Sequence, residues 1–191
     1  MKRAVILHGT DSSPDSEWKP WLITQLQKAG YEVYAPSLPD SHTPNRKGYE
    51  KFLRESEWDF TDNVLFGHSS GATTVLNVLM AEWFPHVKAA VLVGTFLNER
   101  LTKTSDWYDP GQFDNLFLEK YDPEVLASKA DAFYFVHGSN DPYCDIEDAK
   151  RLSNQVNGTF ITVENGHHLG SASAIRELPQ ITDALLRDGL M

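Results

Sequence analysis

The chain has 191 residues, of which 41% are apolar and 12% aromatic, enough for one domain (residues 1–191) with a sizeable core. Its net charge of −10 leaves no basic stripe to neutralise phosphates, which excludes nucleic acid as a partner, and it opposes docking on an anionic membrane surface. The single Cys144 cannot close an internal disulfide, so a reducing, cytoplasmic location is expected.

The first apolar run, residues 4–7, stops at His8-Gly9. It reads as a buried strand and is short of the about 7–15 apolar residues of a signal peptide. No run approaches the ~20 residues needed to span a bilayer. Trp18, Trp21, Leu22, Leu26 and Ala29 then recur at helical spacing, with Ser16 as candidate N-cap and Gly30 as stop. Residues 31–35 form a second strand closed by Pro36, and 37–44 a proline-bearing loop. Tyr49, Phe52 and Leu53 mark a short helical face. Residues 63–66 form a third strand. Ala72, Val75, Leu76, Leu79, Met80 and Trp83 then give the clearest apolar stripe in the chain.

Residues 89–93 read as a fourth strand. Segment 95–131 is the least regular, with helix starts expected where proline follows an acidic cap, at Asp109-Pro110 and Asp122-Pro123. Within it Phe113 and Phe117 are expected to pack on the sheet. Residues 132–136 and 159–163 are the fifth and sixth strands. A helix carrying Ile146, Ala149, Leu152 and Val156 lies between them, and Pro179 opens a last helix. Short apolar strands alternating with helices describe a parallel sheet covered on both faces. In such sheets ligands bind beyond the carboxyl ends of the strands.

Gly67-His68-Ser69-Ser70-Gly71 stands between the third strand and the striped helix. Gly-x-Ser-x-Gly alone is a weak signal, but strand, tight turn and helix in that order are what a nucleophile elbow requires. Ser69 is the candidate nucleophile, and the N–H of Ser70, at a helix N-terminus, a candidate oxyanion donor. A second donor is expected from the loop after the first strand, at the N–H of Thr10. Because a serine hydroxyl is a poor nucleophile at neutral pH, it needs a base and an acid to orient that base. Asp141, in the loop after the fifth strand, is the candidate acid, with Asp145 as rival in a helix-cap position. His167, just after Gly166, is the candidate base, with His168 as rival. Gly166 is expected to give the loop the freedom to turn His167 inward. The order Ser, Asp, His is that of α/β-hydrolases. His8 and His68 read as structural histidines. No third ligand accompanies the His167-His168 pair, so no metal is expected, and no phosphate- or dinucleotide-binding glycine motif is present.

On the strand ending His8-Gly9, the tryptophan-rich first helix, the Gly67–Gly71 motif, the Asp141 loop and Gly166-His167, the chain resembles the small lidless serine hydrolases of the retinoblastoma-binding serine hydrolase and YdeN-like family. That resemblance runs over nearly the whole length. It implies a minimal α/β-hydrolase fold, a six-stranded parallel sheet of order 2-1-3-4-5-6 with helices on both faces and no lid domain. Asp11, beside the expected oxyanion donor, must then turn outward, or the donor is another residue of the Gly9–Ser12 loop, since its charge would oppose the developing oxyanion.

The expected function is a serine hydrolase, of carboxylesterase type, that cleaves a small ester, thioester or activated amide through an acyl-enzyme without a cofactor. An acyltransferase and a protein-interaction module on a hydrolase shell are the alternatives. The expected partner is a small acyl substrate, and no protein partner is indicated. Trp107 and Tyr108, just before Asp109-Pro110, are expected to wall a shallow acyl pocket.

Overall fold

The computed structural model describes residues 1–191. Six strands, β1 (Lys2–Leu7), β2 (Tyr31–Tyr34), β3 (Val64–His68), β4 (Ala89–Val93), β5 (Phe133–Gly138) and β6 (Thr159–Val163), form one sheet of order β2-β1-β3-β4-β5-β6. Every pairing is parallel. The expected architecture is therefore the observed one.

Strand alternation divides the core into two layers. Val5, Leu7, Leu65, Ala90, Leu92, Phe133 and Phe135 face one side. There they meet α2 (Arg46–Arg54), α3 (Ser70–Leu79), α4 (Pro123–Lys129) and α5 (Ile146–Gln155). Ala4, Ile6, Val64, Phe66, Val91, Val93 and Val136 face the other side, under α1 (Lys19–Lys28) and α6 (Pro179–Arg187). Because α3 is packed all round, every one of its residues is buried. It ends at Leu79, so Trp83 lies beyond it as a half-buried neighbour of Phe60 and Phe84. Helix α1 starts later than expected. Its N-cap is Trp18, not Ser16, and Pro20 occupies its first turn.

Segment 95–131 departs from expectation more substantially. Asp122-Pro123 does open α4, the Asp122 carboxylate accepting from the Glu124 N–H. Asp109-Pro110 opens no helix. Gly111 sits at φ +86°, and residues 109–116 form successive turns, with Gln112 N–H donating to the Asp109 carbonyl and Leu116 N–H to that of Phe113. Asp-Pro-Gly is a turn sequence, and its glycine breaks the helix that the proline would begin. Phe113 accordingly packs with Phe96, Leu116 and Cys144 in a small cluster of its own, against which Phe117 is half-buried. Polar side chains of α3 hold this irregular segment in place. The Thr73 hydroxyl donates to the Phe96 carbonyl (2.8 Å), the Asn77 amide donates to that of Leu116 (2.8 Å), and the Tyr121 hydroxyl donates to Asn77 (3.0 Å). No helix is long and apolar enough to cross a membrane.

Three buried histidines tie this core to pH. Burial lowers the pKa of His8, His68 and His137, that of His137 to about 4. His137 stacks on Phe160 at 5.4 Å, and neither ring nitrogen has a partner. As pH falls below 6.5 the unfolded chain binds protons that the folded chain refuses, so stability falls from there down to about pH 4. His137 alone accounts for roughly 3 kcal/mol of this loss. The urea midpoint should drop across that window, and His137→Gln should flatten the slope whatever it does to stability at pH 7. A slope unchanged by that substitution would exclude His137 as a source.

Candidate active site

The site lies at the carboxyl ends of β1, β3, β5 and β6. Ser69 takes φ +57° and ψ −125°, the strained conformation of an elbow, and its N–H is held by the Val93 carbonyl (2.8 Å). Close packing at the turn requires its glycines. A Cβ on Gly67 would lie 2.5 Å from the Ala72 Cα, and one on Gly71 would lie 2.3 Å from the Leu7 carbonyl. A Cβ on Gly9 would meet that of Ser69 at 2.8 Å, so β1 delivers its loop directly onto the serine.

Ser69 Oγ is 2.9 Å from His168 Nε2. His168 Nδ1 in turn lies 2.9 and 3.1 Å from the two carboxylate oxygens of Asp141. The Asp141 side chain is fully buried. It also accepts the backbone N–H groups of Tyr143 (2.9 Å) and Cys144 (3.2 Å). Burial raises its pKa, but the hydrogen bond and charge of His168 and the Tyr143 N–H outweigh that, so the carboxyl is held below its ordinary value. Asp145, the rival acid, caps α5 through the N–H groups of Glu147 and Asp148 and pairs with Arg100.

The expectation for the base is corrected by one residue: His168, not His167, meets both Ser69 and Asp141. The loop turns at His167 itself, which has φ +50°, and its N–H is anchored on the Asn140 side chain at 2.7 Å. The His167 ring is left against Tyr143, 5.7 Å away edge-on, and the next side chain is sent inward. Gly166 does not supply the turn, having no positive φ. Its role is proximity, since a Cβ there would lie 2.7 Å from Leu169. Two further side chains secure the carbonyls around the base. His68 Nε2 is 3.0 Å from the His168 carbonyl, and the Trp18 indole donates to that of Leu169 at 2.9 Å.

On the oxyanion side, Ser70 is the first residue of α3. Neither its N–H nor that of Thr10 is donated to another backbone group. The Thr10 hydroxyl donates to Ser70 Oγ (2.9 Å), which locks the loop after β1 to the helix. His8 is structural, as expected, accepting the Leu38 N–H at Nε2 (2.8 Å) with Nδ1 on the Gly9 carbonyl. Asp11, at φ +50°, borders the cavity and carries its carboxylate to His42 (3.0 Å), whose other nitrogen meets Asp109 at 2.9 Å.

Above the serine is an open cavity of about 270 Å³, lined by the loop from Gly9 to Ser12, Glu17, Ser69, Trp107, Tyr143, His168 and residues 170–172. Trp107 stands where expected. Tyr108 does not, and is corrected: it closes a turn with its N–H on the Ser105 carbonyl (3.1 Å), its hydroxyl donates to Glu99 (2.8 Å) and its ring lies against Phe113. The second aromatic wall is Tyr143, edge-on to Trp107 at 5.2 Å and to His168 at 5.0 Å. Nothing in its sequence position marked it beyond its place two residues after Asp141.

Known proteins share this fold. The serine hydrolase family model matches residues 4–187. YdeN of Bacillus subtilis (strain 168) is 23% identical over 189 residues, covering 96% of this chain and 94% of that protein. The crystal structure of the B. subtilis ydeN product superposes with a TM-score of 0.86 at 20% identity, covering 98% of both chains. Est1E of Butyrivibrio proteoclasticus, solved with ferulic acid bound, superposes at 0.68 and 16% identity, covering all of this chain and 88% of its own. With an elbow, a hydrogen-bonded serine and a matching model over almost its full length, the chain belongs to the serine hydrolase family and shares its fold with YdeN.

Proposed function

We propose that this hydrolase cleaves a small ester, thioester or activated amide through an acyl-enzyme. The observation that carries the reading is the unbroken hydrogen-bonded chain from Ser69 Oγ through His168 to the buried Asp141. Ser69 attacks the carbonyl carbon while His168 Nε2 takes its proton. Asp141 orients the ring and stabilises the imidazolium. The N–H groups of Ser70 and Thr10 receive the oxyanion, at the positive end of α3. As the tetrahedral intermediate collapses, His168 returns the proton to the leaving group. Water then attacks the acyl-enzyme, giving its proton to His168, and Ser69 is released with the free acid. Esterases among the structural neighbours support ester chemistry. The chain works as a single domain over residues 1–191, in the cytoplasm, where its one cysteine stays a thiol, on a small-molecule substrate and on neither nucleic acid nor membranes.

The test is covalent. A fluorophosphonate probe should label the protein once, on the peptide that contains Ser69, and the labelled enzyme should no longer hydrolyse short-chain p-nitrophenyl esters. Labelling elsewhere, or turnover that survives complete labelling, refutes the mechanism. Asp141→Asn should lower kcat roughly 10⁴-fold, because the amide holds the imidazole in the wrong tautomer. Asp145→Asn, which weakens a helix cap and the ion pair with Arg100, should cost less than about tenfold. The reverse ranking in steady-state kinetics would mean that the acid is misassigned.

A further inference from the structure

The two walls of the cavity differ in chemistry. One wall is aromatic, with Trp107 40% exposed and edge-on to Tyr143. The other carries carboxylates, Asp11 and Glu17, together with small polar residues, and no lysine or arginine lines the cavity. Lys19, whose side chain is completely buried, does not line it. It pairs with Glu17 and donates to Ser12 Oγ (3.2 Å). The Glu17–Lys19 pair thus turns its negative end to the cavity. Asp11 belongs to a second group in which His42 lies between Asp11 and Asp109. Lys19, His42 and Asp109 all stand outside the lining, so the carboxylates of these two groups that border the cavity are Asp11 and Glu17. An aromatic face opposite fixed carboxylates favours an organic cation on both sides, through the ring quadrupole and through charge.

We propose that the substrate carries a cationic group, a quaternary ammonium or protonated amine, seated between Trp107–Tyr143 and Asp11–Glu17 while its acyl carbon meets Ser69. This inference rests on the hydrolase reading above and names its substrate class. A cation is attracted by both walls, whereas a carboxylate is repelled by Asp11 and Glu17 and finds no donor cation.

Protection of Ser69 from a neutral fluorophosphonate tests this without knowledge of the natural substrate. Choline, its uncharged isostere 3,3-dimethylbutan-1-ol and the anion 3,3-dimethylbutyrate are titrated against the labelling rate. Choline should protect at about tenfold lower concentration than the isostere, and the anion should be weakest. Asp11→Asn, an exposed change, should shrink the choline-to-isostere ratio, as should Trp107→Leu. Glu17→Gln should do the same if the protein survives leaving Lys19 unpaired, and the first two variants keep the test valid if it does not. The ratio is independent of any overall loss of reactivity in a variant. Equal protection by choline and its isostere, stronger protection by the anion, or a ratio unmoved by Asp11→Asn and Trp107→Leu overturns the inference and leaves the hydrolase reading standing. Absence of any labelling at Ser69 refutes the hydrolase reading instead.

Discussion

His168→Ala should lower kcat by roughly 10⁴- to 10⁶-fold, while His167→Ala should cost less than about tenfold. The two residues are neighbours, of one type, in one loop, so the comparison isolates geometry from chemistry. His168 is the ring that reaches Ser69 at 2.9 Å and Asp141 at 2.9 Å. Removing it leaves the serine without a proton acceptor and the buried Asp141 without its partner. His167 contributes through its backbone. Its N–H on Asn140 and its φ of +50° aim the next residue, and both survive truncation of the ring. An alanine at +50° is somewhat more strained than histidine, which accounts for a small loss. Asn140→Ala extends the argument, since it removes the anchor and leaves every catalytic group present. It should reduce kcat well below that of His167→Ala without abolishing Ser69 labelling. Steady-state kinetics with one p-nitrophenyl ester decides all three. A larger defect in His167→Ala than in His168→Ala would mean that the loop adopts another arrangement during turnover.

That loop marks the limit of what the chain reveals without its fold. The strands were legible because each is a continuous apolar run closed by glycine, proline or a polar residue, and a parallel sheet buried on both faces demands such runs. The elbow was legible because three local requirements coincide there: a strand, small residues at fixed offsets and a helix. Which of two adjacent histidines enters the site is not local. It depends on Asn140, 27 positions away, accepting the His167 N–H. The exchange of Tyr108 for Tyr143 as an aromatic wall has a similar origin. Tyr108 is drawn away by Glu99 and Phe113, whereas Tyr143 is fixed through its own N–H on the Asp141 carboxylate. In segment 95–131 a cue was available, because Gly111 after Asp109-Pro110 favours a turn over a helix. What orders the segment, though, is Thr73 and Asn77 on α3, polar residues on a buried helix whose partners only the tertiary structure supplies.

Ser69→Ala should abolish fluorophosphonate labelling and lower kcat by roughly 10⁴- to 10⁶-fold, with far-UV circular dichroism unchanged. The substitution removes one oxygen and its hydrogen bond to His168. It leaves Gly67, Gly71 and Gly9, whose missing Cβ atoms allow the close approach of β1, β3 and α3. The backbone strain at φ +57° is common to serine and alanine, so the elbow keeps its shape. Any residual rate should come from the Ser70 and Thr10 N–H groups acting on bound substrate and attacking water, as happens when a nucleophile is lost but its oxyanion site remains. The neighbouring hydroxyl provides the contrast. Ser70→Ala removes the contact between Ser70 Oγ and the Thr10 hydroxyl (2.9 Å) but keeps the Ser70 N–H. Its kcat should fall by no more than about tenfold, and it should still be labelled, because the loop after β1 loses a tether while the oxyanion keeps both donors. If Ser70→Ala loses labelling and Ser69→Ala retains it, the nucleophile is Ser70 and the elbow is misread by one residue. If each variant alone abolishes labelling, the Thr10–Ser70 tether is itself required to hold the oxyanion site open.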